Sequence, residues 1–219
     1  MTVRILIVGD SHVGSLRKGI QSLSLGWKNF RLDRIDGVFD FCGLDGARTR
    51  QLLPSSYRRD NFFANMIASK CDTFQPHVVW LLIGNNDIED GQETPQELAL
   101  RIFNTAHMVK NRNISVQLVS VIQLLPHYPG ARGNVPYYNV LAAQVNEHLL
   151  HLCVEQAGRG DFSVHYAKAK LFFQIEKPKA YWNSQKYFDA GGVHLNNRGI
   201  QNVMKRLKPT VILALRAIN

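Results

Sequence analysis

The sequence has 219 residues, of which 45% are hydrophobic and 20% are charged, and this composition is typical of a globular chain with one substantial core. No segment approaches the roughly 18 continuous apolar residues of a membrane-spanning helix, so an integral membrane protein is not expected. The 26 Lys and Arg against 17 Asp and Glu give a formal net charge of +9, which favours encounters with nucleic acid or an anionic membrane surface.

Short apolar runs alternate with helical periodicity along the chain, and they predict alternating strands and helices. Strands are predicted at 3–8, 32–35, 38–42, 78–83, 116–122 and 162–166, with an Asp36-Gly37 turn between the second and the third. Helices are predicted at 11–23, 61–71, 95–110, 137–158 and 196–218, and Pro209 is expected to kink or restart the last one. Residues 49–53 predict one helical turn, 123–136 predict a long loop, and 168–186 show no clear pattern.

This alternation indicates an α/β fold. Helical crossovers between parallel strands are right-handed and place helices on both faces of the sheet. We therefore expect a three-layer α/β/α sandwich with a mostly parallel, flavodoxin-like sheet. A chain of 219 residues leaves little room for a second full domain, so a single domain is expected over residues 1–219.

The cysteines and the first residues bear on the cellular location. Cys42, Cys71 and Cys153 are scattered and odd in number, and none has the spacing of a metal-ligand motif. The start of the sequence lacks the basic, apolar and small-residue zones of a signal peptide. We expect an intracellular protein, most simply a cytoplasmic one, with reduced thiols and no metal site.

Four chemically complementary residues follow strand ends or precede the last helix. Ser11 follows the first strand, Gly46 the second or third, Asn86 the 78–83 strand, and His194 comes before the last helix. In open parallel sheets the ligand site lies beyond the carboxyl ends of the strands. A serine supplies an attacking oxygen, a histidine accepts its proton, and a glycine N–H with an asparagine amide stabilises the resulting oxyanion. The set therefore indicates a hydrolase-type site.

Each of these residues taken alone has an ordinary structural explanation. Ser and Asp commonly cap helices, an Asn-Asp pair is common in turns, and a single His is more often a surface residue. Asp10 and Asp87 are expected to accept hydrogen bonds from loop N–H groups, and His12 is expected to point away from Ser11. The hydrolase hypothesis therefore depends on the four residues occurring together.

Four sequence blocks in this order resemble the SGNH hydrolases, also called the GDSL-like esterase and lipase superfamily. The blocks are Gly9-Asp10-Ser11, Gly43-Leu44-Asp45-Gly46, Gly84-Asn85-Asn86-Asp87 and Gly192-Val193-His194-Leu195-Asn196. The resemblance extends from Gly9 to about Gly199. It implies that Ser11 is the nucleophile, that His194 is the base, and that the oxyanion hole consists of the Ser11 and Gly46 N–H groups and the Asn86 side chain. No cofactor or metal is implied.

One position departs from the pattern of this superfamily. Its members usually carry an Asp three residues before the catalytic His, where it orients the ring. Here that position is Gly191, and the nearest carboxylate is Asp189. Either Asp189 reaches the ring by a different loop path, or another residue or a backbone carbonyl orients it, or the enzyme is impaired. We favour a working Ser-His pair, with Asp189 or a non-carboxylate group as the third member.

The resemblance implies a serine esterase that hydrolyses carboxylic esters, and we expect acetyl or short acyl groups. Leu124, Leu125 and Tyr128 of the long loop are expected to form one wall of the acyl pocket. A narrower similarity connects the Gly-Asp-Ser-His run and the 188–196 segment with esterase domains of LINE-class retrotransposon first-open-reading-frame proteins. The alternative function is therefore a weakly catalytic lipid- or acyl-binding module of an RNA-associated protein. Its partners would be an acyl ester or lipid, and an anionic membrane surface or nucleic acid, although the sequence has no RNA-recognition motif.

Overall fold

A computed structural model describes residues 2–22, 36–52, 62–167 and 185–218 of the chain. The strands in this part are β1 (Thr2–Gly9), β2 (Asp36–Gly43), β3 (Val78–Leu82), β4 (Leu118–Ile122) and β5 (Val164–Ala167). The α-helices are α1 (Ser11–Ser22), α2 (Phe62–Phe74), α3 (Asn85–Asp90), α4 (Pro95–Arg112), α5 (Val135–Gly158) and α6 (Asn197–Ile218). Short 3₁₀ turns occur at Thr49–Leu52 and Gln185–Tyr187.

The five strands form one sheet in the order β2-β1-β3-β4-β5. All neighbouring pairs are parallel. The chain passes from β1 to β2 on one side and returns to β3 on the other, and this is the flavodoxin-like order with a switch point between β1 and β3. The predicted α/β fold with its parallel sheet is therefore confirmed.

Alternate side chains of the central strands enter cores on opposite faces of the sheet. Leu6 and Val8 of β1 pack with the inner faces of α2, α4 and α5, whereas Ile5 and Ile7 pack with α1 and α6. This alternation follows from the two-residue repeat of a strand, and the apolar character of both faces follows from their burial. Fully buried Trp80 of β3 donates its indole N–H to Thr210 Oγ1 of α6 at 2.9 Å. The closing helix is thereby attached to the middle of the sheet.

Capping residues account for the starts of the two long helices over this sheet. Thr94 accepts a hydrogen bond from the Glu97 N–H, and the Glu97 carboxylate accepts one from the Thr94 N–H. This capping box begins α4 at Pro95, the position where proline is best tolerated in a helix. Asn134 caps α5 in a similar way by accepting from the Tyr137 N–H.

The structure contradicts the predicted Asp36-Gly37 turn and one of the two outcomes expected at Pro209. Asp36 and Gly37 form no turn; they lie in β2 and pair with Thr2 and Val3, because the parallel ladder with β1 outweighs the local turn preference. Helix α6 continues through Pro209 and does not restart there, although a proline removes one helical hydrogen bond. The predicted 32–35 strand lies outside the described residues.

The long loop before α5 is held against that helix by paired side-chain and backbone hydrogen bonds. Asn146 accepts from the Leu124 N–H and donates to its carbonyl, at 2.8 and 3.0 Å. Asn139 makes the same pair with His127, both at 2.8 Å. Leu124, Leu125 and Tyr128 are buried in the two cores of the sheet. The predicted role of these three side chains as an acyl-pocket wall is therefore wrong.

No helix within residues 2–22, 36–52, 62–167 and 185–218 is both long enough and apolar enough to cross a bilayer.

Candidate active site

The candidate residues lie at the carboxyl edge of the sheet, beside the switch point between β1 and β3. Ser11 is the first residue of α1, two residues after β1 ends at Gly9. The turn between them packs on the end of β3, because the Asp10 N–H donates to the Leu82 carbonyl at 3.1 Å. A Cβ atom on Gly9 would overlap that same carbonyl oxygen. Close contact between the two strands thus fixes the position of Ser11.

The His194 ring faces the Ser11 hydroxyl. Its Nε2 atom lies 2.9 Å from Ser11 Oγ, which is the distance of an O–H···N hydrogen bond. The two residues are 183 positions apart in the chain, and both are half-buried. With Nε2 unprotonated, the ring accepts the hydroxyl proton, and this is the geometry of a general base beside a nucleophile.

The electrostatic environment favours the neutral form of the His194 ring. Burial lowers its pKa below 6.5, and the positive charge of His12 lowers it further. The carboxylates of Asp189, Asp10 and Asp45 oppose this shift without reversing it. A histidine accepts a proton only in its neutral form, so the environment favours the form that can act as a base.

Asp189 lies on the other side of the His194 ring. Its Oδ2 atom is 3.9 Å from His194 Nδ1, and its side chain is 45% exposed. That distance is too long for a hydrogen bond, although it suits an attraction between a carboxylate and a protonated ring. The loop is closed by the Asp189 N–H, which donates to the His194 carbonyl at 2.8 Å. A Cβ atom on Gly191 would lie 3.3 Å from Asp189 Oδ1, so a carboxylate at 191 would share this space.

The candidate oxyanion donors lie on two adjoining loops. Gly46 has a left-handed backbone with φ of 72°, in an exposed turn after β2. Asn86 Nδ2 donates one hydrogen to the Ala47 carbonyl at 3.0 Å, which leaves its second amide hydrogen for another acceptor. Within the described ranges, neither the Ser11 N–H nor the Gly46 N–H has a hydrogen-bond partner. Their roles as oxyanion donors stay a prediction.

Asp87 holds helix α3, which carries Asn86, against the loop after β2. It accepts hydrogen bonds from the Thr49 N–H at 3.1 Å and from Thr49 Oγ1 at 2.7 Å. Burial raises the pKa of the Asp87 carboxyl, and the bonds from Thr49 oppose that change. The expectation that Asp87 accepts from a loop N–H is confirmed, and the contact holds the loop after β2 against α3.

A buried hydrogen-bond network beside the site was not predicted. His12 Nδ1 lies 2.8 Å from Asp10 Oδ1, and His12 Nε2 lies 3.2 Å from the Val193 carbonyl. Asn85 donates to Asp10 Oδ2 at 3.2 Å and accepts from the Tyr138 hydroxyl at 2.8 Å. These four side chains are at most 6% exposed. The available sequence signal was an Asp and a His two residues apart directly after a strand.

The His127 ring stacks on the Tyr138 member of this network. Its centroid is 3.6 Å from that of Tyr138, with nearly parallel planes. Burial and the positive charges of His12 and His194 lower its pKa to about 4. The His127 ring is therefore uncharged near neutral pH, and it packs against Tyr138 as an aromatic side chain.

A family model matches most of the chain, and known structures share its fold. A family model described as GDSL-like Lipase/Acylhydrolase matches residues 5–207. No curated protein sequence matches the chain. A mutant acetyl esterase with a bound acetate ion has a TM-score of 0.63 and 16% identity over 99% of this chain and 100% of its own.

Two family 3 carbohydrate esterases are similar to the same degree. The enzyme from Talaromyces cellulolyticus has a TM-score of 0.62 and 16% identity, over 98% of both chains. The enzyme from Clostridium thermocellum has a TM-score of 0.61 and 19% identity, over 100% of this chain and 99% of its own. At these identities the likeness concerns the fold.

Proposed function

We propose, from the premise that the chain belongs to the GDSL-like lipase/acylhydrolase family, that it is a serine esterase acting on carboxylic esters with Ser11 and His194. The observation that carries this proposal is the 2.9 Å contact between His194 Nε2 and Ser11 Oγ. A pairing of nucleophile and base at hydrogen-bond distance is the signature of covalent acyl transfer. The switch-point location and the neutral state of His194 support the same reading.

The proposed ester hydrolysis has two steps, acylation of Ser11 and hydrolysis of the acyl-enzyme. In the first, the Ser11 hydroxyl proton moves to His194 Nε2 while Ser11 Oγ bonds to the ester carbonyl carbon. The carbonyl oxygen becomes an oxyanion, for which the Ser11 N–H, the Gly46 N–H and the Asn86 amide are the proposed donors. The ester C–O bond then breaks, and the His194 proton goes to the leaving alcohol oxygen. In the second step a water molecule gives a proton to His194 Nε2 while its oxygen bonds to the acyl carbon. The bond from that carbon to Ser11 Oγ then breaks, the proton returns from His194 to Ser11 Oγ, and the acid is released.

We infer a preference for short acyl groups. An acetyl esterase has the same fold, and the apolar side chains of the long loop are buried in the core. Wild-type protein should therefore hydrolyse p-nitrophenyl acetate with a higher kcat/KM than p-nitrophenyl octanoate, by about tenfold or more. A higher kcat/KM for the octanoate ester would contradict the short-acyl preference. If the protein hydrolysed neither ester, the proposed esterase function would be contradicted.

Asp189 is proposed as an electrostatic third member. Its carboxylate lies 3.9 Å from His194 Nδ1, so it can stabilise the protonated ring formed during reaction without a hydrogen bond. Because this attraction acts through partly exposed groups, Asp189→Asn should lower kcat/KM for p-nitrophenyl acetate by about two- to tenfold. A loss of a hundredfold or more would instead assign Asp189 a direct hydrogen bond to the ring.

A double variant controls for the location of the carboxylate. Gly191 occupies the position at which the family usually has Asp, and a Cβ there would face the same space as the Asp189 carboxylate. Gly191→Asp in the Asp189→Asn background should restore kcat/KM to the wild-type level or above it. A double variant as slow as the single one would show that a carboxylate at residue 191 cannot reach His194.

The alternative is an acyl- or lipid-binding module with little turnover. Two observations favour this alternative: the 3.9 Å distance between His194 Nδ1 and Asp189 Oδ2, and the formal net charge of +9. A fluorophosphonate separates the two functions, since covalent labelling at Ser11 requires an activated nucleophile. The relation to retrotransposon esterase domains, and an anionic membrane or nucleic acid as partner, stay predictions from sequence.

A further inference from the structure

His12 directly follows the nucleophile and is almost fully buried, at 3% exposure. Both of its ring nitrogens contact oxygen atoms. Nδ1 is 2.8 Å from Asp10 Oδ1, and Nε2 is 3.2 Å from the Val193 carbonyl oxygen. Its ring centroid is 5.2 Å from that of His194. The side chain therefore lies between the nucleophile turn and the loop that carries the base.

These contacts favour the doubly protonated form of His12. A backbone carbonyl only accepts hydrogen bonds, so Nε2 must carry a hydrogen. Asp10 Oδ1 also accepts from the His12 N–H at 3.0 Å, and Asp10 Oδ2 accepts from Asn85 at 3.2 Å. Hydrogen bonds to both oxygens stabilise the ionised form of the Asp10 carboxyl, and an ionised carboxylate only accepts, so Nδ1 then carries a hydrogen as well. His12 is then an imidazolium paired with the Asp10 carboxylate.

The electrostatics of the pair agree with this assignment. Burial works against both charges, but the attraction to Asp10 and the hydrogen bonds from His12 to Asp10 and Val193 raise the pKa of His12 above 6.5. The charge and hydrogen bonds of His12 likewise hold the pKa of Asp10 below 3.8, again against burial. Each partner stabilises the charged form of the other.

The ion pair belongs to a hydrogen-bond chain that crosses several elements. Tyr138 of α5 donates to Asn85 of α3, which donates to Asp10 after β1. His12 of α1 continues the chain to Val193, the residue before His194. The chain thus joins parts of the molecule up to 181 positions apart in sequence, and its last bond fixes the backbone next to the base.

We propose that His12 is a positioning residue for the esterase reaction, and that its charged ring, held by Asp10, fixes the Val193 carbonyl and so keeps His194 Nε2 on Ser11. This inference depends on the proposed function. Residue 191 is Gly, so the carboxylate that usually orients the catalytic His is absent there. His12 would orient His194 in its place. In this arrangement His194 is positioned through its backbone, whereas an ordinary triad positions it through its ring.

The His12 charge also affects the proton affinity of His194. The other groups acting on the two rings are Asp10, Asp45, Asp189 and His127, with Glu89 lying 4.0 Å from His127. The carboxylates raise the pKa of His194, whereas His12 lowers it. Loss of the His12 charge should therefore raise the pKa of His194, and the acid limb of kcat/KM against pH should move to higher pH.

Two amide variants separate the contacts of His12. Gln places its amide nitrogen near the position of His Nε2, and Asn places it near Nδ1. His12→Gln should keep the bond to Val193, and His12→Asn should lose it. We expect His12→Asn to lower kcat for p-nitrophenyl acetate by about tenfold or more with little change in KM, and His12→Gln to lower it less. Both should shift the acid limb to higher pH.

The control is His107→Gln. His107 is a partly buried histidine of α4 that bonds Gln156 at 2.9 Å through Nε2, on a helix that contributes none of the candidate residues. Its replacement should leave kcat and the acid limb of the profile unchanged. Equal kcat in wild type and His12→Asn, or an equal loss in His12→Asn and His12→Gln, would overturn the positioning role.

Nitrogen-15 NMR of the histidine rings tests the inference without turnover. In wild-type protein the His12 ring should stay protonated on both nitrogens at a pH at which the His194 ring is already neutral, and the signal of this ring should be absent from His12→Gln. The His194 ring should titrate at higher pH in His12→Gln than in wild type. If the variants do not fold, the wild-type spectrum decides, since a His12 ring that becomes neutral at the same pH as the His194 ring, or at a lower pH, would overturn the proposal. Wild-type protein that shows these ring signals but no hydrolysis would refute the esterase function and leave the His12 assignment standing.

Discussion

Ser11→Ala is expected to lower kcat/KM for p-nitrophenyl acetate by at least about a thousandfold, or ~4 kcal/mol in the activation free energy. The reason is that Ser11 Oγ is the atom that His194 contacts at 2.9 Å, and alanine leaves no atom to form the acyl-enzyme. Residual hydrolysis would come from the oxyanion donors acting on a bound water. Initial rates at several substrate concentrations, with unfolding curves of both proteins, give the measurement.

Ser15→Ala is the matched control. Ser15 lies about one turn further along α1 and is also half-buried, so its replacement removes the same hydroxyl from the same helix. Activity and fluorophosphonate labelling should persist in Ser15→Ala, whereas Ser11→Ala should lose the labelling and keep only the residual hydrolysis. If Ser11→Ala kept more than about a tenth of the wild-type rate, Ser11 would not be the nucleophile.

Sequence patterns located the strands and the candidate residues because both depend on local signals. A continuous apolar run such as 78–83 identifies a strand covered on both faces, and its end gives the sheet edge where Asn86 lies. The prediction of a turn at Asp36-Gly37 was wrong because the conformation of these residues depends on a non-local contact, their pairing with β1. Helix α3 has six residues, too few for a helical repeat to appear in the sequence.

The buried network around His12 could not be predicted because its partners are far apart in the chain. Asp10 and His12 are neighbours in sequence, yet Asn85, Tyr138 and the Val193 carbonyl reach them only after the sheet has formed. A single sequence offers no signal for contacts of this separation. A different limit applies to Asp189, which is close to His194 in sequence, because the distance between their side chains depends on the path of the loop between them.

Gly9→Ala is expected to destabilise the protein by about 3 kcal/mol or more. Gly9 ends β1 and pairs with Leu82 of β3, and a Cβ at this position would overlap the Leu82 carbonyl oxygen. Because the obstacle is backbone in the centre of the sheet, it cannot move aside as a flexible side chain would. The strands must separate, and the bond from the Asp10 N–H to the Leu82 carbonyl is strained or lost. Urea unfolding followed by circular dichroism measures the change.

The same substitution should also impair hydrolysis, because Asp10 and Ser11 follow Gly9 directly and lose the contact that fixes their turn. Gly14→Ala separates this effect from a general intolerance of alanine near the site. Gly14 lies in α1 and a Cβ there meets no atom within 4 Å, so its replacement should stabilise the helix by about 0.5–1 kcal/mol and leave kcat unchanged. An unchanged free energy of unfolding in Gly9→Ala would show that β1 and β3 can separate at this point without cost, and that the position of Ser11 does not depend on their close approach.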